Sequence, residues 1–446
     1  MKITTVFICT NCSSQHLKWS GRCVNCGAWN TLQEQQRSTG KHSTVGKPAK
    51  ITNLGEVKSA ASERFSSGLA EIDGILGGGL VPGTLVLLGG DPGIGKSTLA
   101  LQAALSCANR NLSTLYISGE ESLPQIKLRG ARLSDKLENL QVLSETSLDT
   151  VLATVEQVKP KLLVIDSIQT LYSENVSGVA GGTAQVSAAT GRILEATKPY
   201  DITTLIIGHV TKEGNLAGPK MLEHMVDVVL YLEGERFGVF RILRCVKNRF
   251  GTTNEVGVFE MQEAGMSAIA DPSRLFLAER VTAKPGNVVT ATVDGSRALL
   301  LEIQALVSRA EFSYPKRNAT GYDFNRLQLL TAVIGRSLRY DFSQKDLYVS
   351  VAGGYKIAET ACDLAVACAI VSSYKDIAFP DDLVVLGELG LSGEVRRVTN
   401  ATKRLKEAEK LGFKRALLPV GDKYAGKIKT LPVRDLAEAI KLVLKQ

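Results

Sequence analysis

The chain lacks any apolar run approaching the ~18 residues or more of a membrane-crossing helix, so no transmembrane segment is expected. Its opening residues, Met1 to Thr5, meet a cysteine pair before any long apolar region, and a secretory leader is not expected either. From about Gln33 to Ala61 there is neither a helical nor a strand period. That stretch is polar and rich in Lys, Ser, Thr and Gly, the composition of a flexible linker. The eight cysteines split into two groups. Four cluster near the N-terminus, while Cys107, Cys245, Cys362 and Cys368 are scattered in apolar or strand-like settings as small core residues. A cytoplasmic protein with reduced thiols is the expectation.

What is present bounds the rest. With 446 residues, 44% of them hydrophobic, the chain can build two or three domains with substantial cores. A formal net charge of +8 suits a polyanionic partner without establishing one. Cys9-x-x-Cys12 and Cys23-x-x-Cys26 form two knuckles, each presenting two thiolates to one side of a tight turn. Together they complete a tetrahedral zinc site, and four cysteines leave no position for a reactive water, so the site is structural. A redox dithiol or two disulfides are the alternatives. Lys18, Trp19, Arg22 and Trp29 surround the knuckles. They can stack on and neutralise nucleic acid, or serve as the small core and rim of the module.

Gly90-Asp91-Pro92-Gly93-Ile94-Gly95-Lys96-Ser97-Thr98 fits G-x-x-x-x-G-K-S/T, the phosphate-binding P-loop. The apolar run Thr84 to Leu88 before it reads as a buried strand, and Leu99 to Leu105 after it as a helix, the context the motif requires. The glycines let backbone N–H groups and the helix N-terminus face a phosphate. Lys96 is expected to reach the β- and γ-phosphates of ATP, and the Ser97 hydroxyl to bind Mg2+. The strand Thr114 to Ser118 ends at Gly119-Glu120-Glu121, where a carboxylate can orient an attacking water. Glu120 is preferred over Glu121, the alternative being a helix-terminal carboxylate. Lys161 to Ser167 is a buried strand ending in Asp166, which would hold the magnesium shell.

Two polar segments follow core strands: Glu174 to Gln185, and Thr211 to Lys220 after the strand Thr203 to Val210. Loops at the carboxyl ends of such strands are where open α/β sheets bind ligands. His209, at a strand end, is either a sensor of the γ-phosphate or a structural residue. Lys247-Asn248-Arg249-Phe250-Gly251 follows the strand Phe240 to Val246. On a strand, Lys247 and Arg249 point to one side. Two such cations suit a neighbouring subunit's γ-phosphate, or form a solvated basic turn.

Phe65 to Gly83 resembles the entry segment of RecA-type ATPases. The four-Cys knuckle, the P-loop core and the KNRFG pentapeptide, in this order, make the chain resemble the bacterial RadA (Sms) family of DNA repair proteins over essentially its full length. The resemblance implies an α/β protein: a four-Cys zinc finger (1–32), the linker (33–61), a RecA-like ATPase domain (62–271) and a Lon-protease-like α+β domain (272–446). In RecA-like rings the two polar loops line a central channel and hold single-stranded DNA. The resemblance further implies DNA-dependent ATP hydrolysis in homologous recombination, with ATP, Mg2+ and Zn2+ as cofactors. The expected assembly is a homo-hexameric ring that moves on single-stranded DNA and drives branch migration of branched intermediates beside the RecA recombinase.

The C-terminal segment carries a second resemblance. Gly387 to Val395 is similar to a signature of the Lon protease domain. Lon-type proteolysis needs a serine activated by a lysine. The family pattern puts Ala361 and Thr402 at those positions. A one-residue shift offers Cys362 or Lys403, but both shifts would be needed. The expectation is a scaffold without peptidase activity. An ATP-dependent protease and a KaiC-like regulatory ATPase are the rival readings.

Overall fold

The computed structural model describes residues 3–38, 53, 63–208, 222–234, 240–310, 314–422 and 424–444. Two compact units emerge, the first comprising Met1–Gly68, Gly78–Leu230 and Lys247–Phe250, the second Leu69–Gly77, Tyr231–Val246 and Gly251–Gln446.

At the N-terminus, β1 (Ile3–Cys9) lies between β2 (Gln15–His16) and β3 (Leu32–Ser38), all antiparallel. The β1–β3 ladder runs unbroken from Cys9 opposite Leu32 to Ile3 opposite Ser38. This corrects the linker expected from residue 33: residues 33–38 are strand. Their polar sequence gives no alternation to read, and a ladder of backbone hydrogen bonds requires none. The rest of the expected linker lies outside the described residues, apart from residue 53. Among the described residues, the buried cluster here is Cys9, Cys23 and Leu32, with Phe7 and Cys12 against it. Such a core is too small to fold on hydrophobic burial alone.

The rest of the first unit is a parallel sheet wound with helices. β4 (Leu85–Gly90), β5 (Thr114–Ser118), β6 (Gln141–Ser144), β7 (Leu162–Asp166) and β8 (Thr203–Ile207) stand in the order β4-β8-β7-β5-β6. β9 (Val228–Glu233), whose first three residues belong to this unit, flanks β4. All residues of β4, β5 and β7 are buried, as expected of inner parallel strands covered on both faces. The crossover helices are amphipathic. In Thr183–Thr197, Val186, Ala189, Thr190, Ile193 and Thr197 are buried at helical spacing.

This helix corrects the first polar loop. Gln185 is 1% exposed inside it, not part of a polar loop. Its amide donates to the carbonyls of Ser173 (3.0 Å), Val176 (2.7 Å) and Gly178 (3.3 Å) and accepts from Ser173 N–H (3.1 Å). The loop itself is therefore 174–182, pinned at its root by one side chain. The second polar segment, 211–220, and His209 lie outside the described residues.

The second unit contains an antiparallel meander, β10 (Phe240–Asn248, to Val246 in this unit), β11 (Val256–Gln262) and β12 (Gly265–Ala268). Ile242, Val256 and Val258 join the same core as Phe276, Val288 and Leu299. A seven-stranded mixed sheet follows in the order β15-β16-β14-β13-β17-β20-β21. Its strands are β13 (Asn287–Asp294), β14 (Arg297–Arg309), β15 (Arg317–Thr320), β16 (Lys345–Val351), β17 (Leu383–Val385), β20 (Arg415–Pro419) and β21 (Lys429–Val433). The short pair β18 (Glu388–Leu389) and β19 (Val395–Arg396) forms a separate ribbon. Alternation along β14 sorts the faces. Leu299, Leu301 and Ile303 join the core containing helix Asp363–Lys375, and Leu300 joins the one containing Leu405 of helix Ala401–Lys410.

Candidate functional site: a P-loop centre and a four-cysteine ribbon

The loop after β4 turns on Gly90, Gly93 and Gly95, at φ 149°, 77° and 110°. At Gly93 the backbone alone demands glycine, since a Cβ there would meet nothing within 4 Å. Asp91 and Pro92 sit exposed on the loop, and Ile94 is buried beneath it. Gly95 opens the helix Lys96–Asn109, and no side chain caps its first turn, where Ser97 and Thr98 lie. Such an end suits a phosphate. Lys96 is 3% exposed, and its ammonium donates to the carbonyls of Gly90 (2.8 Å) and Asp91 (2.9 Å). Burial lowers its pKa, while Asp166, Glu120 and Asp91 oppose that pull. A phosphate in the cradle would offer that cation charge-assisted bonds stronger than those to carbonyls.

The strand order brings the carboxylates to the loop. Ser118 at the end of β5 pairs with Asp166 at the end of β7, so the residues just past β5 fall beside Asp166. Ser97 Oγ donates to Asp166 Oδ1 at 3.1 Å, and Tyr116 O–H donates to Oδ2 at 2.6 Å. Burial raises the Asp166 pKa, against the hydrogen bonds from Tyr116 and Ser97. Tyr116, fully buried, has its own pKa raised far by burial and by Asp166, so it stays a donor. Hard oxygen donors from Ser97 and Asp166 at this spacing fit a magnesium shell.

Glu120 and Glu121 part ways. Ser167 Oγ donates to Glu120 Oε1 at 2.6 Å, and the Glu120 charge acts on Lys96 and Asp166. Glu121 pairs with Arg129. Gly119 is required by close approach, since a Cβ there would lie 2.1 Å from Thr170 Oγ1. Tyr116 and Ser167 were missed in the sequence. A tyrosine between Leu115 and Ile117 in a buried strand was the available signal, because a buried phenol must find a partner.

In the KNRFG segment, β10 ends at Asn248, so Arg249 lies in the turn beyond it and strand alternation does not relate it to Lys247. Lys247 Nζ donates to the carbonyls of Glu223 (2.5 Å) and Val226 (2.8 Å). Arg249 Nη1 meets Asp227 Oδ1 at 3.2 Å. Asn248 Oδ1 accepts from Phe250 N–H at 2.9 Å, closing the turn before Gly251, and Arg64 Nη2 donates to the Phe250 carbonyl at 2.7 Å.

In the ribbon, the sulfurs of Cys9, Cys12, Cys23 and Cys26 all lie within 4.8 Å of one another. Cys9–Cys26 and Cys12–Cys23 are each 3.6 Å apart, near the ~3.8 Å edge of a tetrahedron with Zn–S bonds of about 2.3 Å. The Ser14 hydroxyl and backbone N–H groups bring the Cys23 thiol down to about 5, which favours the thiolate zinc needs. The two knuckles are related. Asn11 Nδ2 donates to Cys26 Sγ (3.6 Å) and Asn25 Nδ2 to Cys12 Sγ (3.7 Å), each amide serving the opposite knuckle. The repeated C-x-N-C was the sequence signal for these asparagines. Trp19 and Trp29 are 60% and 69% exposed, so they are not the module's core. Arg22 lies over the Trp29 ring at 5.8 Å.

In the second unit Ala361 is buried and Thr402 exposed. Cys362 is fully buried, and burial, then the Glu359 charge, push its thiol up to about 12. A thiol so placed is not a nucleophile. Beside Thr402 and Lys403, Arg404 is fully buried and clasps Glu359 through two bonds, at 2.6 and 2.5 Å.

Comparison with known proteins agrees with this architecture. Family models match in three places: an AAA domain at residues 53–215, subunit ChlI of Mg-chelatase at 325–422, and a rubredoxin metal binding domain at 7–34. The DNA repair protein RadA of Listeria monocytogenes is 45% identical over 99% of both chains, as is that of Bacillus subtilis. That of Pseudomonas aeruginosa is 46% identical over 94% of both. A solved KaiC-like protein of Pyrococcus horikoshii is similar over 46% of this chain and 99% of its own, at 21% identity and a TM-score of 0.39, too slight a likeness to carry an argument. With near-half identity along its whole length, on a P-loop core joined to a four-cysteine ribbon and a Lon-like sheet, this chain belongs to the RadA family of DNA repair proteins.

Proposed function

We propose that this protein is a DNA-dependent ATPase of homologous recombination and repair. It assembles as a homo-hexameric ring, translocates on single-stranded DNA as a helicase, and promotes branch migration of branched intermediates with the RecA recombinase in the cytoplasm. The observation that carries the ATPase reading is the Ser97–Asp166 contact at 3.1 Å, which brings two separate motifs to one point. Lys96 binds the β- and γ-phosphates, and Ser97 and Asp166 hold the magnesium shell. Bound magnesium supplies charge neutralisation at the phosphates. Glu120, held by Ser167, accepts the proton of the attacking water. Domains at 62–271 and 272–446 divide the work, the second a scaffold without peptidase activity. No described helix is long and apolar enough to cross a membrane.

DNA dependence rests on the family and on the net charge of +8. The test is steady-state ATP hydrolysis with and without single-stranded DNA over a salt series. Stimulation that falls steeply with salt is expected, because phosphate neutralisation releases counterions. Hydrolysis indifferent to DNA would favour a KaiC-like regulatory ATPase.

A further inference from the structure

Asp227, immediately before β9, is the point where three pieces of the first unit meet. Its Oδ2 accepts from the N–H of Leu85, the first residue of the P-loop strand, at 3.0 Å. Its backbone N–H donates to the Leu85 carbonyl at 2.9 Å. Its Oδ1 meets Arg249 Nη1 at 3.2 Å, and its carbonyl accepts from Arg249 N–H at 3.2 Å. One residue thus holds the root of the P-loop strand with one carboxylate oxygen and the KNRFG arginine with the other.

The two cations of KNRFG are held unequally. The half-buried Lys247 is clasped by the carbonyls of Glu223 and Val226, just upstream of Asp227. Arg249 has a side chain 55% exposed, and its guanidinium meets a carboxylate that is 18% exposed. An ion pair with one such exposed partner is worth about 0–1 kcal/mol, so the guanidinium exchanges partners readily, whereas the two-carbonyl clasp is a fixed anchor. Removing Lys247 would release the 223–226 turn; removing the Asp227 charge would release only the guanidinium.

We infer that Asp227 is a positioning residue that keeps Arg249 parked against the root of its own P-loop strand, with Lys247 as the fixed anchor of the turn, until a γ-phosphate competes for the guanidinium. This rests on the proposed ring, in which Arg249 acts on the γ-phosphate of a neighbouring subunit, the role that suits the two KNRFG cations. A pair worth up to about 1 kcal/mol leaves the guanidinium free roughly one-sixth of the time, so abolishing the pair raises the free population up to about sixfold.

The experiment uses full-length protein and compares Asp227→Asn, Arg249→Ala and the double variant for ATP hydrolysis without DNA. The amide of Asp227→Asn keeps an acceptor for Leu85 N–H, and a thermal melt close to the parent checks that the fold is kept. The expected result is a rise in DNA-free turnover of up to about sixfold in Asp227→Asn, absent when Arg249→Ala is also present. A merely structural Asp227 would lower turnover and would act independently of Arg249. If Asp227→Asn does not fold, a salt series on the unaltered chain takes its place. Turnover should rise as the pair is screened, and Arg249→Ala should show no such rise. Normal hydrolysis by Arg249→Ala alone overturns the trans reading. Loss in Arg249→Ala with no gain in Asp227→Asn, or no salt response distinguishing the two chains, overturns the role of Asp227 while leaving the trans reading intact.

Discussion

Adjacent residues Asp166 and Ser167 face two different tasks at the ATP centre. Asp166 takes hydrogen bonds from Ser97 and Tyr116, and Ser167 gives one to Glu120. In the proposed mechanism, one peptide unit at the end of β7 would therefore set the spacing between the residue that would hold magnesium and the carboxylate that would orient the water. Glu121, only one residue from Glu120, is occupied by Arg129. Glu120→Gln is expected to retain ATP binding and to lose about 10²–10⁴ in hydrolysis rate, the usual range for general base loss. Glu121→Gln should stay within a few-fold of the parent. Single-turnover hydrolysis of bound ATP separates the two, and the opposite ordering would reassign the base. Sequence reading could prefer Glu120 but not explain it. The partners of both carboxylates come from other strands and helices, so no local pattern records them.

At the scale of the element, two small structures depend on one interaction each. Among its described residues, the ribbon buries little beyond Cys9, Cys23 and Leu32. Four-thiolate zinc binding is worth about 10–16 kcal/mol to such peptides, more than that core can supply. Cys26→Ser should therefore lose zinc and unfold the ribbon while the ATPase core still melts cooperatively. Metal analysis together with a thermal melt checks this, and stoichiometric zinc in the variant would point to another ligand set. In the Lon-like domain, the buried Arg404 of helix Ala401–Lys410 also donates to the Ala291 carbonyl at 2.5 Å and the Thr399 carbonyl at 3.0 Å. Arg404→Ala strands Glu359 and is expected to cost about 3–5 kcal/mol. Denaturant unfolding of the full chain measures it, and a loss below about 1 kcal/mol would mean that water replaces the guanidinium.

For the whole molecule, the ring model makes the active centre a shared one. Arg249→Ala is expected to bind ATP and to lose about 10³–10⁵ in rate, the range for a trans-acting arginine. Lys96→Ala is expected to be inactive in its own P-loop. Mixing the two proteins should restore part of the activity, because some interfaces then pair an intact P-loop with an intact Arg249. Mixed rings without activity at any ratio would rule out action in trans. The same ring is not expected to degrade unfolded casein with ATP. Ala361 offers no nucleophile, and the fully buried Cys362, held up to about 12, cannot replace it. Cleavage lost in Cys362→Ala would reverse that conclusion.

The motifs were legible in the chain because their chemistry depends on contiguous backbone. A P-loop must place glycines, a lysine and a hydroxyl within one turn, and a zinc knuckle must place two thiolates across a few residues. The helix Phe324–Leu338 was legible because burial of one face imposes a period. Residues 33–38 were not, since their ladder is paid for by backbone hydrogen bonds that leave no side-chain period. Tyr116, Ser167, Asp227 and the crossed Asn11 and Asn25 amides belong to another class. Their roles depend on which strand lies beside which, and on a side chain meeting a partner far along the chain. The sequence alone determined that this protein has a phosphate cradle and a four-thiolate site. Only the folded sheet decided which carboxylate faces the cradle and which residue holds Arg249, because hydrogen bonds form between neighbours in space.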